Sequence, residues 1–136
     1  MNADKFYAEL RPGDKEKLTR LVEGMKNLGF IVYAVGSSLE RNDYKDIDLV
    51  VTPGSIQTHN TSDFEFGRLE FYLRSLEVGD ITHEPLNVSA EISSVGYVGS
   101  TIRKRFRVRK ADTPVDISFV EDKPFILRPE IERILL

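Results

Sequence analysis

Apolar residues recur at Leu18, Leu21, Val22, Met25 and Leu28. Steps of three and four predict a helix over residues 14–28, with Asp14 as N-cap and Gly29 as the stop. Residues 30–35 are continuously apolar and rich in β-branched and aromatic types, which predicts a buried strand. Gly36 ends that strand, and residues 37–40 open a short helix. Residues 45–52 read as the next strand. A Pro, Gly, Ser and Asn-rich stretch at 53–61 reads as a loop. Ser62 and Glu65 fit a capping box for a helix over 62–77. Phe64, Phe66, Leu69, Phe71, Tyr72, Leu73 and Leu76 cover more than one face of it and read as core.

Residues 80–101 carry the weakest pattern and suggest short strands or a short helix. Residues 102–110 alternate, with Phe106 and Val108 on one side and Arg105, Arg107 and Arg109 on the other. A turn at 111–114 and a strand over 115–120 complete a hairpin. Pro124 and Pro129 break the tail, and residues 130–136 suggest a last helical turn. The order of helices and strands predicts one α/β (α+β) domain over residues 1–136, built on a mixed sheet.

Composition narrows the functions. The chain is 40% hydrophobic and 30% charged, ordinary for a globular protein. No apolar run approaches the ~20 residues of a membrane span, and the N-terminus lacks signal-peptide character. A cytoplasmic protein without membrane partners is expected. The absence of cysteine excludes disulfides and thiolate metal sites. His59 and His83 have no metal-ligand spacing and read as surface residues in loops. The net charge of −3 argues against a general nucleic-acid coat, although residues 103–110 pack six basic residues into eight.

Asp46 and Asp48 stand two apart in an Asp-apolar-Asp-apolar strand, so they share a face while Ile47 and Leu49 point to the core. Adjacent carboxylates repel unless a cation lies between them. Mg²⁺ or Mn²⁺ suits an all-oxygen site. Phosphoryl and nucleotidyl transfer use two such ions on a carboxylate cluster. A third carboxylate should come from a neighbouring strand, and Asp116, flanked by Val115 and Ile117, fits. If Lys110 closes the hairpin against Val115, Arg109 lies opposite Asp116 and Arg107 opposite Ser118. Those arginines would hold Asp116 ionised or contact phosphates. The alternative for the row is a solvated edge strand. Gly36 lets the backbone approach a ligand, with Ser37 and Ser38 supplying hydroxyls. Glu40 and Asp43 read as loop charge.

Gly36-Ser37, Asp46-Ile47-Asp48-Leu49 and Val115-Asp116-Ile117 together resemble the signature of the DNA polymerase β-like nucleotidyltransferase superfamily. The resemblance implies a nucleotidyltransferase-type mixed sheet with helices packed on one face. It implies transfer of a nucleoside monophosphate from an NTP to an acceptor hydroxyl on a protein, an RNA end or a small molecule, with pyrophosphate leaving. In that reading Asp46 and Asp48 hold two metals, and Asp116 binds the catalytic metal and helps deprotonate the acceptor. Gly36, Ser37 and Ser38 hold phosphates. The chain departs from the pattern in its eight-residue spacer from Ser38 to Lys45 and in Ser38-Leu39-Glu40. It resembles a bare catalytic core, which a homodimer or a small helical partner could complete. The rival expectations are an antitoxin-like regulatory module and a degenerate scaffold.

Overall fold

Two rows of residues running across the sheet explain how the molecule is organised. The computed structural model describes residues 2–39, 43–54, 62–75, 80–85, 102–109, 113–120 and 132–136. Its helices are α1 (Ala3–Ala8), α2 (Pro12–Asn27) and α3 (Ser62–Ser75), with a 3₁₀ turn at Ser37–Leu39. Its strands are β1 (Phe30–Val35), β2 (Ile47–Pro53), β3 (Asp80–Pro85), β4 (Ile102–Arg109), β5 (Val115–Val120) and β6 (Ile134–Leu135). They form one sheet in the order β3-β4-β5-β2-β1-β6. Only β2 and β5 pair in parallel; the other described pairs are antiparallel.

Ala34, Leu49, Ile117 and Phe106 are successive register partners across β1, β2, β5 and β4. Register partners share a face. All four are buried in one core with Phe6 of α1, Leu18, Leu21 and Met25 of α2, and Phe66, Leu69 and Leu73 of α3. The three helices therefore pack on one face of the sheet. The adjacent row is Val35, Asp48, Asp116 and Arg107. Strand alternation turns this row to the opposite face, so the carboxylates lie across the sheet from the helices.

Aromatic packing joins α3 to the sheet. Phe66 stacks on Phe106 with ring centroids 4.8 Å apart, and meets Phe119 edge-on at 5.7 Å. Burying such a side chain contributes roughly 1.5–3 kcal/mol. On α2, Leu18, Leu21, Val22 and Met25 form the buried stripe that the spacing predicts. Gly29 adopts φ +93° just after the helix, and its N–H donates to the Lys26 carbonyl at 2.9 Å. This is the left-handed stop that glycine permits.

Several expectations change. Helix α2 begins two residues before Asp14: Arg11 is the N-cap and Pro12 the first helical residue. Asp14 lies within the first turn and is buried, because Tyr44 and Thr113 hydrogen-bond its carboxylate. Helix α1 was not foreseen; Asn2 caps it by accepting the Lys5 N–H at 2.9 Å. Phe64 and Phe71 of α3 are exposed rather than core, because Phe66, Leu69 and Leu73 fill the inward stripe. Glu65 accepts from Arg68 at 3.0 Å.

Residues 134–135 form a strand on the edge of β1, not a helical turn. Leu136 N–H donates to the Val32 carbonyl at 2.9 Å. His83 lies in β3 rather than a loop. The 102–120 hairpin is present, with its register moved by two. Val108 pairs with Val115, so Arg107, not Arg109, is the partner of Asp116, and Arg105 is the partner of Ser118. The cause is a longer connection, since loop length fixes hairpin register. Glu40, His59, Leu76, the 53–61 loop beyond Gly54, residues 86–101, Lys110, Pro124 and Pro129 lie outside the described residues.

Candidate metal centre

Parallel pairing of β2 with β5 places Asp48 beside Asp116. Each is the second residue of its strand, so both sit at the N-terminal ends of the two central strands. Asp46 precedes β2, one residue before the ladder begins at Ile47. Each of the three offers a carboxylate oxygen, and these oxygens lie within 4.8 Å of one another. Asp116 is buried, while Asp46 and Asp48 are half-buried. Like charges this close repel one another. A divalent cation taking oxygens from several carboxylates removes that repulsion.

Gly36 supports the same centre from β1. Val35 is the register partner of Asp48, and Gly36 turns away from the strand with φ +84°. A Cβ on Gly36 would lie 2.6 Å from Asp48 Oδ2. Glycine is therefore required twice, for its left-handed backbone and for the space beside the carboxylate. The chain then enters the 3₁₀ turn at Ser37–Leu39, where Leu39 N–H donates to the Gly36 carbonyl at 3.2 Å. Ser38 is buried, and its Oγ has no hydrogen-bond partner among the described residues. A buried hydroxyl left this way costs about 1–3 kcal/mol, which suits a group that meets a ligand oxygen.

Sequence reasoning named Asp46, Asp48, Asp116, Gly36 and Ser38, and the structure gathers the three aspartates and sets Gly36 against Asp48. Ser37 opens the 3₁₀ turn. Arg107 is the backbone register partner of Asp116, whereas Arg109 lies beyond the β4–β5 ladder and is the register partner of Asp80 in β3. Asp43 is exposed, as a loop charge would be.

A second polar cluster went unrecognised in the sequence. Asp14 Oδ2 accepts from the Tyr44 hydroxyl at 2.7 Å and from Thr113 Oγ1 at 2.9 Å. Arg11 lies over the Tyr44 ring at 4.3 Å, donates to Thr113 Oγ1 at 3.2 Å and donates to the Tyr44 carbonyl. Lys17 donates to the Thr113 carbonyl. Burial pushes the Tyr44 hydroxyl above its ordinary pKa of 10.0, and its bond to Asp14 adds to the rise. The phenol therefore stays protonated as a donor at neutral pH. One signal was available: Asp14 lies in line with Leu18, Leu21 and Met25, on the stripe that is buried. A cleft of about 610 Å³ opens beside this cluster, with Asp43, Lys45 and Pro114 also in its walls.

Comparison with known proteins returns no matching family model, no matching curated protein and no matching solved structure. What the molecule itself shows is an α+β domain with a mixed sheet and a cluster of three aspartates. Among the described residues, no helix is long and apolar enough to cross a membrane.

Proposed function

We propose that this protein is a Mg²⁺- or Mn²⁺-dependent nucleotidyltransferase on a nucleotidyltransferase-type fold. It would transfer a nucleoside monophosphate from an NTP to an acceptor hydroxyl and release pyrophosphate. The observation that carries the reading is the convergence of Asp46, just before β2, with Asp48 and Asp116 of the parallel strands β2 and β5, with oxygens within 4.8 Å. Asp46 and Asp48 would hold two ions and Asp116 would share one of them. Held by these carboxylates, divalent ions would supply neutralisation of the charge on the phosphates. Asp116, the most buried of the three, would take the proton of the acceptor hydroxyl. The Gly36 backbone and the Ser37 and Ser38 hydroxyls would meet the phosphates.

Two features of the chain fit such a ligand set. The space beside Asp48 is kept open by a glycine whose Cβ would collide with the carboxylate. Ser38 Oγ is a buried hydroxyl without a hydrogen-bond partner among the described residues. Both belong to the segment that follows β1.

Incubation of the protein with each labelled NTP, Mn²⁺ and a cell extract tests the proposal. Label should pass to an acceptor protein, RNA or small hydroxyl compound, and Asp46→Asn/Asp48→Asn should abolish the transfer. Absence of NTP binding together with absence of transfer, under any of the four nucleotides, would sink it.

A regulatory, partner-binding module is the second reading, favoured by one observation. Phe64 and Phe71 are 67% and 78% exposed on either side of Gly67, on a helix whose inward face is already filled. Sedimentation together with the transfer assay separates the two readings. A dimer without transfer activity that Phe64→Asp/Phe71→Asp dissociates supports the module. A monomer with full transfer activity supports the enzyme alone.

A further inference from the structure

We propose that Asp14 is a positioning residue that fixes the distance between the two segments carrying the aspartate triad. The proposal rests on reading that triad as a metal centre. Asp46 lies outside the β2 ladder, so strand hydrogen bonds do not by themselves set its place. Tyr44, two residues upstream, is held by Asp14 through its hydroxyl at 2.7 Å. Thr113, three residues before Asp116, is held by the same carboxylate oxygen at 2.9 Å. One buried atom of α2 thus ties the lead-in to β2 and the lead-in to β5 together.

The surrounding contacts close the clamp. Ile47 N–H donates to the Pro114 carbonyl at 3.0 Å, joining the two segments through their backbones. The Arg11 N–H donates to the Tyr44 hydroxyl at 3.1 Å, and its guanidinium reaches both Thr113 Oγ1 and the Tyr44 carbonyl. Lys17 holds the Thr113 carbonyl. Every donor in this set bonds either Asp14 or the backbone and hydroxyls of the two segments.

Metal ligands must be held to within about 0.5 Å of their working geometry. Residues that orient ligands typically change affinity by about 10–100-fold when removed. Thr113→Val keeps the shape of the side chain and removes its donor, while Thr113→Ser keeps the hydroxyl. Asp14→Asn keeps the volume of the carboxylate and weakens its acceptance. None of these substitutions touches the triad itself.

The test measures Mn²⁺ affinity by paramagnetic resonance of the free ion, alongside the melting temperature, with Leu18→Ala as a control that loosens α2 through its core stripe. Thr113→Val and Asp14→Asn should weaken Mn²⁺ binding by about 10-fold or more. Thr113→Ser should restore it, and Leu18→Ala should lower the melting temperature with affinity retained. Folded Thr113→Val and Asp14→Asn proteins with wild-type affinity would overturn the proposal, as would equal losses in Leu18→Ala. If Asp14→Asn does not fold, Thr113→Val and Thr113→Ser decide. Wild-type protein whose Mn²⁺ binding is absent or untouched by Asp46→Asn/Asp48→Asn overturns the metal centre itself, and the clamp with it.

Discussion

Gly36 and Asp48 approach so closely that a single added methyl group on the glycine would sit 2.6 Å from the Asp48 Oδ2 oxygen. The glycine also holds φ +84°. Two costs therefore meet at one position. A left-handed backbone costs a residue with a Cβ roughly 1–2 kcal/mol, and the collision displaces a carboxylate of the proposed centre.

Gly29 separates these two costs. It holds φ +93°, but a Cβ there meets nothing within 4 Å among the described residues. Gly29→Ala should lower stability by roughly 1 kcal/mol and leave Mn²⁺ binding intact. Gly36→Ala should lower stability at least as much and also lose Mn²⁺ binding. Urea titration and a Mn²⁺ binding isotherm on both variants check this, and equal Mn²⁺ affinity in the two would contradict the Gly36–Asp48 argument.

Removing one charge from the triad should have opposite effects with and without metal. In Asp48→Asn the repulsion among the three carboxylates falls. Relief of about 1 kcal/mol corresponds to a rise of roughly 3–5 °C in metal-free melting temperature for a domain of this size. The wild type should gain stability as Mn²⁺ is added, by mass action, and Asp48→Asn should not. Calorimetry in a chelator and then in Mn²⁺ gives both numbers; a metal-free melting temperature that falls in the variant would count against the electrostatic argument.

The α2–α3 contact offers a sign reversal. A Cβ on Gly24 would fall within 2.6 Å of three Tyr72 ring and hydroxyl atoms, and the Tyr72 hydroxyl donates to the Leu21 carbonyl at 3.3 Å. Alanine in place of a helical glycine normally gains about 1 kcal/mol. Gly24→Ala should nevertheless destabilise the wild type, and should stabilise a Tyr72→Ala background. Chemical denaturation of the four proteins measures the coupling, which would be absent if the two effects simply add.

Alkaline pH should weaken the fold in a defined window. Burial, with Glu23 adding, pushes Tyr7 from 10.0 to about 12. Between those values the unfolded chain loses the phenolic proton while the folded chain keeps it. The folded state then binds more protons, so stability falls as pH rises. Below pH 10.0 the contribution is fully present. Tyr44 and Tyr72 are shifted in the same direction. Tyr7→Phe should therefore flatten the decline without abolishing it, as read by urea midpoints from pH 9 to 12. An unchanged slope would remove Tyr7 from the account.

What the chain declares by itself is whatever depends on short spacing. Leu18, Leu21, Val22 and Met25 announce α2 because a helix repeats every 3.6 residues, and alternation sends Ile47 and Leu49 to the core while Asp48 turns away. Gly29 and Gly36 mark the ends of elements because few other residues tolerate their backbone angles. Tertiary structure decided the rest. The β2–β5 parallel pairing that brings Asp48 to Asp116 joins strands far apart in sequence. The two-residue shift that gives Asp116 to Arg107 depends on the length of a loop. Asp14 reads locally as a cap, and becomes a buried acceptor because Tyr44 and Thr113 arrive from other elements. Local periodicity encodes which face a residue takes; which neighbours meet it there is settled by chain closure and packing, whose energies no short window contains.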